Sequence, residues 1–550
     1  MREGRAATTM KVHSAIAKAL IDNGIETMFG LIGDANLYVV DSFVREFGGT
    51  FVAAANEAGA TLMALGYATV SGKVGVATIT HGPAVTNTLT GLVEGVKGQT
   101  PMVLICGDTA VDDREASQNI PQRDVIIATG AGFEQLRSPN TLAQDVATVL
   151  RRAMLERRPV ALNVPIEFQW LDVEYRSVIL RIPETRGFVP AGTDLDNGVG
   201  IIAGAKRPIV LAGRGAVNTE ARAALVRLAE RTGALLATTL KAKDLFLGED
   251  YNLGVFGTLS TPVAMEAIME SDCIIAFGAG LNSRTTSRGA FLKGKRLVQC
   301  NAEPIEIGKS ITPDAGLVGD PALVADAIVH WLDEAEIAPS GFRNEALNRR
   351  LKAYSPVADL SDTAVGGILD VHKALAFFNE VVPTNRVLVT DGGRFCSAPW
   401  RMMNVSEPGS FLYTLNSGSI GLGLSYAIGA SYAVKDRPVL LVTGDGGFML
   451  GGLAEFNTAV RHNVDLIVVV CNDSSYGAEH VQFRNKNMDP ALSIFDWPDF
   501  APVADALGGK GVTVRTAQDL ESAARAIEER DGPLLIDIKL DPDRMPPPAS

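Results

Sequence analysis

From residue 10 to about 185 the chain repeats one pattern. Short apolar runs (ETMFGLI, FVAAAN, VGVATIT, PMVLICGD and PVALNVP) alternate with longer stretches whose apolar positions fall at helical spacing. Runs of this length bounded by turn residues read as buried strands, and strands separated by helices read as a parallel sheet covered on both faces. At the start, Val12, Ile16 and Leu20 make a helical stripe, with Thr8 or Thr9 expected as its cap.

The pattern breaks at RIPETRGFVPAG, where two prolines and several charges read as a linker, and then resumes with KRPIVLAGRGAV, GALLATTL, CIIAFGAGL and RLVQCNAEP. It fades near residue 335 into a polar stretch. A third block brings RVLVTDGG, PVLLVTGDGG, VDLIVVVCND and PLLIDIKL. The expected architecture is α/β, with three consecutive doubly wound parallel-sheet domains at 1–185, 190–335 and 366–550 and a linker at 336–365. A length of 550 residues agrees, because domains usually hold roughly 100–200 residues.

Composition narrows the function classes. Apolar residues make up 47% and charged residues 21%, as in ordinary globular proteins. The formal charge is −13 and no run of Lys or Arg interrupts it, so nucleic acid and anionic membranes are poor partners. The run LIVVVC at 466–471 is far shorter than the ~20 residues of a membrane helix. The N-terminus mixes acids with bases and does not read as a signal peptide. Cys106, Cys273, Cys300, Cys396 and Cys471 have no CxxC spacing and read as reduced core thiols, so a cytoplasmic location is expected.

The chemistry concentrates in GDGGFMLGGLAEFNTAVRHNVDLIVVVCND, residues 444–473. Gly444, Gly446 and Gly447 surround Asp445 after one apolar run, and Asn472 ends the next. The stretch lacks the GK[ST] of a Walker loop and the GxGxxG spacing of dinucleotide sites. Adjacent parallel strands bring their carboxyl ends side by side, where open α/β sheets bind ligands. A carboxylate and a carboxamide there can share one hard cation, and Mg²⁺ usually shares its ~6 oxygens with substrate phosphates. A metal-bridged diphosphate is the expected ligand. A glycine turn with a solvated Asp is the plainer alternative.

GDG followed after about two dozen residues by Asn resembles the signature of thiamine diphosphate enzymes, although Asp473 stands where a second Asn is more usual. The resemblance implies thiamine diphosphate and Mg²⁺ as cofactors, with Asp445, Asn472 and the carbonyl of Ser474 as metal ligands. It also implies cofactor contacts from Pro83, Asn87, Ser417, Gly418, Gly444, Gly446, Gly447 and Gly477. In AAANEAGA, Glu57 matches the family's Glu that hydrogen-bonds the aminopyrimidine ring. Removing a proton beside a cationic ring needs an internal base, which a buried Glu of raised pKa can provide. In SGSIGLGLSYAIGA, Ile420 falls where the family places the bulky residue that bends the cofactor.

The resemblance spans nearly the whole chain and points to the acetolactate synthases and the pyruvate decarboxylase-like 2-oxo acid decarboxylases. It implies a 2-oxo acid substrate and a homodimer or homotetramer with the active site at the subunit interface. GRGAVN lacks the third glycine of a dinucleotide fingerprint, so FAD is compatible with the middle block but not indicated.

The substrate side is mixed. HGPA (residues 81–84) stands where acetolactate synthases carry SGPG, and Arg394 and Phe395 stand where they carry Gln-His. Glu479 falls where decarboxylases place an acid next to the substrate, yet their adjacent His pair is missing. His81 is a candidate replacement, and Gln118, Gln122 and His480 are candidate substrate contacts. For His81 a surface or satisfied core residue, for the two glutamines ordinary loop polars, and for His480 plain solvent exposure are the alternatives. The expected activity is cleavage or formation of the carbon–carbon bond next to a carbonyl, with decarboxylation and carboligation both open. A hydroxyketone lyase-type carboligase or a non-catalytic family member is the alternative.

Overall fold

The computed structural model describes residues 8–113, 115–182, 187–358, 369–407 and 409–545. Parts of the polar stretches at 181–192 and 336–365 lie outside the described residues. The first segment forms β1 (Thr8–Lys11), β2 (Thr27–Gly30), β3 (Thr50–Ala53), β4 (Gly75–Ile79), β5 (Met102–Asp108), β6 (Gly132–Gln135), β7 (Pro159–Pro165) and β8 (Asp172–Tyr175). The middle carries β9 (Pro208–Ala212), β10 (Leu235–Thr238), β11 (Asn252–Val255), β12 (Cys273–Phe277), β13 (Arg296–Asn301) and β14 (Ala315–Val318). The last part carries β15 (Val387–Thr390), β16 (Phe411–Tyr413), β17 (Val439–Gly444), β18 (Leu466–Asn472), β19 (Lys510–Val514) and β20 (Leu534–Lys539).

Among the described residues these strands make three six-stranded sheets, ordered β3-β2-β4-β5-β7-β6, β11-β10-β9-β12-β13-β14 and β16-β15-β17-β18-β20-β19. The first and third orders are the same pattern. By contact, the first and third sheets fall in one compact unit and the second sheet in another. No helix among the described residues is long and apolar enough to cross a membrane.

Besides the two-stranded ribbon β1-β8, five strands of the three sheets are absent from the apolar pattern: β6, β11, β14, β16 and β19. All five are sheet edges. An edge strand is short and half-solvated, so GFEQ or NLGV carries no continuous apolar run. The expected cap at Thr8 or Thr9 is also corrected. Both residues lie in β1, which pairs antiparallel with β8, and the helix Val12–Asp22 begins after Lys11 without a side-chain cap. β-Branched threonines suit a paired ribbon.

The first and third sheets share one apolar core that includes Phe29, Met63, Leu104, Tyr426, Leu441 and Phe456. Its centre is the crossing of the helices Glu57–Ser71 and Gly423–Ala433. A Cβ on Gly66 would lie 2.2 Å from the Tyr426 carbonyl oxygen, and one on Gly429 would lie 1.9 Å from that of Met63. Each glycine therefore faces the residue three positions before the other glycine. Such an approach admits no side chain on either helix.

Candidate active site at the ends of two sheets

β17 and β18 are parallel neighbours, with Gly444 opposite Cys471, so Asp445 and Asn472 emerge side by side as the strand spacing requires. Asp445 begins a continuous helical stretch that passes through a π-helical turn, Phe448–Gly452, before Leu453–Arg461. Such π-turns are frequent at functional sites. Asp445 is buried; its Oδ1 accepts the Gly446 N–H at 2.8 Å, while its Oδ2 is buried without a partner. Burial, followed by the charge of Asp473, pushes this carboxyl up to about 7. An unpartnered buried oxygen next to a second carboxylate is an arrangement a cation relieves.

Asn472 is held in one orientation. Its Nδ2 donates to Asp537 Oδ1 at 2.9 Å, and Asp537 Oδ2 accepts the Phe500 N–H at 2.8 Å. The Asn472 Oδ1 is thereby the free end, accepting the Ser474 N–H at 3.2 Å. Ser474 sits at φ +54°, and its carbonyl accepts the Phe495 N–H at 2.8 Å, which leaves one lone pair. Among the described residues no three His, Cys, Asp or Glu side chains gather as a metal set. A cation here would take Asp445, Asn472 and the Ser474 carbonyl and complete its shell from ligand oxygens, a donor set that fits Mg²⁺. Gly477 opens the helix Gly477–Asn485 just beyond.

Asp391, directly after β15, organises the neighbouring loop. Its Oδ2 accepts the Gly421 N–H at 3.0 Å and the Thr443 hydroxyl at 3.1 Å. Gly421 (φ +82°) packs so closely that a Cβ on Gly451 would lie 2.2 Å from its oxygen. Ile420, partly buried, is presented beside this turn. Gly418 also has positive φ, and the Ser417 hydroxyl and N–H both donate to Glu94, at 2.6 and 2.7 Å. The glycines 446 and 447 admit the protein's own neighbours: added Cβ atoms would meet the Tyr476 ring at 2.6 Å and Asp391 Oδ2 at 2.9 Å.

The first sheet supplies the second group. Glu57 opens the helix Glu57–Ser71, which Asn56 caps by accepting the Gly59 N–H. Asn87 donates to Glu57 Oε2 at 2.9 Å, leaving Oε1 for another partner. Glu57 is partly exposed in the single chain rather than buried. His81 is buried beyond β4; Thr80 donates to Asp34 at 2.6 Å and its hydroxyl lies 3.2 Å from His81 Nδ1. Asp34, Thr80 and His81 sit between β2 and β4, where the strand order reverses, as Asp391 and Asp445 do between β15 and β17.

Gly82 has φ +62°, and a Cβ there would lie 2.2 Å from the Gln118 carbonyl oxygen. Gln118 thus contributes its backbone, and its side chain is only partly covered. Gln122 is buried: it accepts the Gly82 N–H at 2.6 Å and donates to the Gly107 carbonyl and Asn163 Oδ1. Its amide supports the turn at Gly82 that leads into Pro83 and the short helix ending at Asn87. Glu479 is exposed on the first turn of Gly477–Asn485. His480 is not solvent-exposed. It is buried, with Nε2 2.9 Å from Asp543.

The glycines of GRGAVN are explained by packing. A Cβ on Gly213 would lie 2.4 Å from the Gly278 oxygen, and one on Gly278 would lie 2.5 Å from Gly215, where the turns after β9 and β12 close on each other. Sequence reasoning missed Asp391, Asp537, Glu94 and Glu455. The signal for the first was present in TDGG, an acid ending an apolar run; the other three are single acids inside helices or strands. All five cysteines are buried without disulfide partners, and burial raises the thiols of Cys106, Cys273, Cys300 and Cys471.

Comparison with known proteins assigns the domains that carry these residues. Residues 10–128 match the family model "Thiamine pyrophosphate enzyme, N-terminal TPP binding domain", residues 195–328 the central domain and residues 391–538 the C-terminal TPP binding domain. A probable acetolactate synthase large subunit of Methanococcus aeolicus is 27% identical, covering 98% of this chain and 93% of its own. A sulfoacetaldehyde acetyltransferase of Alcaligenes xylosoxydans xylosoxydans is 26% identical over 94% of this chain and 90% of its own. A chloroplastic acetolactate synthase of Arabidopsis thaliana is 26% identical over 95% and 80%. With three family models in the family order along one chain, and with relatives matched over nearly its full length, the chain belongs to the thiamine pyrophosphate enzyme family.

Proposed function

We propose that the protein is a thiamine diphosphate- and Mg²⁺-dependent enzyme that breaks the carbon–carbon bond next to the carbonyl of a 2-oxo acid and passes the acyl unit to an acceptor. The observation that carries the cofactor assignment is the buried, unpartnered Oδ2 of Asp445 beside the oriented Asn472. Acyl transfer is favoured over simple decarboxylation by the relatives, which are named acetolactate synthase and sulfoacetaldehyde acetyltransferase.

Bound thiamine diphosphate would supply the electron sink that makes such cleavage possible. Asp445, Asn472 and the Ser474 carbonyl would hold the cation and through it the diphosphate. Glu57 Oε1 would hold the proton at the aminopyrimidine ring, with Asn87 fixing the carboxylate from the other side. Ile420 would support the cofactor's bent shape, and His81 would face the substrate end.

We place the complete site between two copies of the chain, Glu57 of one against Asp445 and Asn472 of the other. Large apolar side chains lie exposed in the segments that follow Asp445 and Asn472 along the chain: Leu450 is 63% exposed and Leu492 86%, with Tyr476, Met488 and Ile494 also exposed. An exposed apolar group of this kind marks a surface that another surface covers.

The test is product analysis by mass spectrometry with a panel of 2-oxo acids, with and without acceptor aldehydes. Hydroxyketone or transferred-acyl products are expected. Carbon dioxide and aldehyde alone would make the protein a decarboxylase, and no turnover of any 2-oxo acid would favour a non-catalytic family member.

A further inference from the structure

The first and third sheets exchange one buried carboxylate each. Glu455, in the helix Leu453–Arg461, is 2% exposed; its two oxygens accept the Ala55 N–H at 3.1 Å, and Oε1 also accepts the Asn56 N–H at 3.2 Å. These are the two residues before Glu57. Glu94, in the helix Leu89–Gly98, is fully buried; Oε1 accepts the N–H and Nδ2 of Asn416, and Oε2 accepts the N–H and hydroxyl of Ser417. These are the residues before Gly418 and Ile420.

We infer that Glu455 and Glu94 are reciprocal positioning residues: each half of the cofactor site is held in place by a carboxylate that belongs to the other sheet. The inference rests on the thiamine diphosphate reading given above. Three features support it beyond the contacts. Each glutamate lies in the helix that follows the turn at its own sheet's switch point, and each grips the segment after the other sheet's edge strand, β3 or β16. Both carboxyls are met by several hydrogen-bond donors, and a carboxyl is buried this fully only with such partners; burial still raises the pKa of Glu455. A Cβ on Gly59 would lie 2.0 Å from Glu455 Oε1, so the helix carrying Glu57 uses glycine, a poor helix former, where the carboxylate enters.

The grip on the Glu57 side is the more elaborate. Arg461 donates to the Ala53 carbonyl at 2.8 Å, and the Ala53 N–H donates to His462 Nε2 at 3.1 Å. One helix and its C-cap thus fasten the backbone from Ala53 to Asn56. A satisfied buried network of this kind fixes geometry more than it adds stability.

The experiment compares the full chain with Glu455→Gln, Gly59→Ala and Glu94→Gln. Three quantities are read: calorimetric affinity for thiamine diphosphate with Mg²⁺, hydrogen–deuterium exchange at the thiazolium C2 of bound cofactor by NMR, and the thermal midpoint. Glu455→Gln and Gly59→Ala are expected to slow exchange about 10- to 100-fold while changing affinity by no more than about threefold. Glu94→Gln is expected to do the reverse, weakening affinity about 10- to 100-fold with little change in exchange of the bound cofactor. Gly59→Ala keeps the carboxylate and is a helix-favouring change, so it carries the test if Glu455→Gln does not fold. Equal losses in both readouts, or a lowered midpoint with neither readout changed, would overturn the inference. A parent protein that neither binds the cofactor nor supports exchange would instead overturn the proposed function.

Discussion

The first and third sheets order their strands identically, cross their helices through reciprocal glycines and trade one buried glutamate, yet their switch points carry different chemistry. In the third sheet the switch point holds buried acids, Asp391 and Asp445, of which Asp445 keeps an unpartnered oxygen. In the first it holds His81, Thr80 and Asp34, and the ionisable group of interest, Glu57, lies instead at the edge strand's helix, partly open to solvent. The same scaffold can therefore serve two tasks. In the proposed function one copy would hold a cation and its anionic ligand, and the other would present a proton-handling carboxylate.

The largest expected effect is at Asp445. Asp445→Ala should lower affinity for thiamine diphosphate with Mg²⁺ on the order of 10³-fold, because the cation loses its one charged protein ligand. The same position should show opposite behaviour without cofactor. A carboxyl raised to about 7 favours the protonated folded state, so its contribution to stability is present at low pH and is lost as pH rises from about 4 through about 7. Asp445→Asn removes that loss. Thermal unfolding of the cofactor-free protein at pH 8 should show the Asn variant more stable by on the order of a few kcal/mol, with the difference shrinking at pH 4.

Glu57→Gln comes next, with turnover lowered about 10²- to 10⁴-fold and cofactor affinity little changed, which is the signature expected of a proton-handling group. Equal loss of both would erase the division between the sheets. Asp537→Asn should weaken metal affinity about 10- to 100-fold, since it frees the Asn472 amide to turn.

The smallest effect concerns His462. Burial lowers its pKa, followed by the charge of Arg461, and accepting the Ala53 N–H on Nε2 favours the same neutral form. A lowered histidine contributes stability that is present above about 6.5 and is lost as pH falls. Amide exchange at Ala53, corrected for intrinsic rate, should accelerate between pH 7 and pH 5, and should do so less in His462→Gln.

Much of this was legible in the chain. GDGG and CND put Asp445 and Asn472 at the ends of neighbouring strands because their spacing matches one strand–helix–strand unit, and AAANEAGA put Glu57 at a helix start because its acid follows an apolar run. Of the edge strands β3 was legible in FVAAAN, whereas β6, β11 and β14 were not, because these four-residue, partly solvated strands lack a continuous apolar run. Nor were Glu94 and Glu455. In the sequence each is one acid in an amphipathic helix, where an acid is usually solvated, and only the packing of the two sheets shows that both are buried. Gln122 and His480 looked like loop and surface polars for the same reason: their partners, Gly82 and Asp543, are 40 and 63 residues away.

The most direct measurement is a calorimetric titration of thiamine diphosphate with Mg²⁺ into the parent protein, Glu57→Gln and Asp445→Ala. The parent and Glu57→Gln should bind with similar affinity and Asp445→Ala should not bind measurably. Binding by Asp445→Ala as tight as that of the parent would contradict the assignment of the third sheet as the metal and diphosphate half.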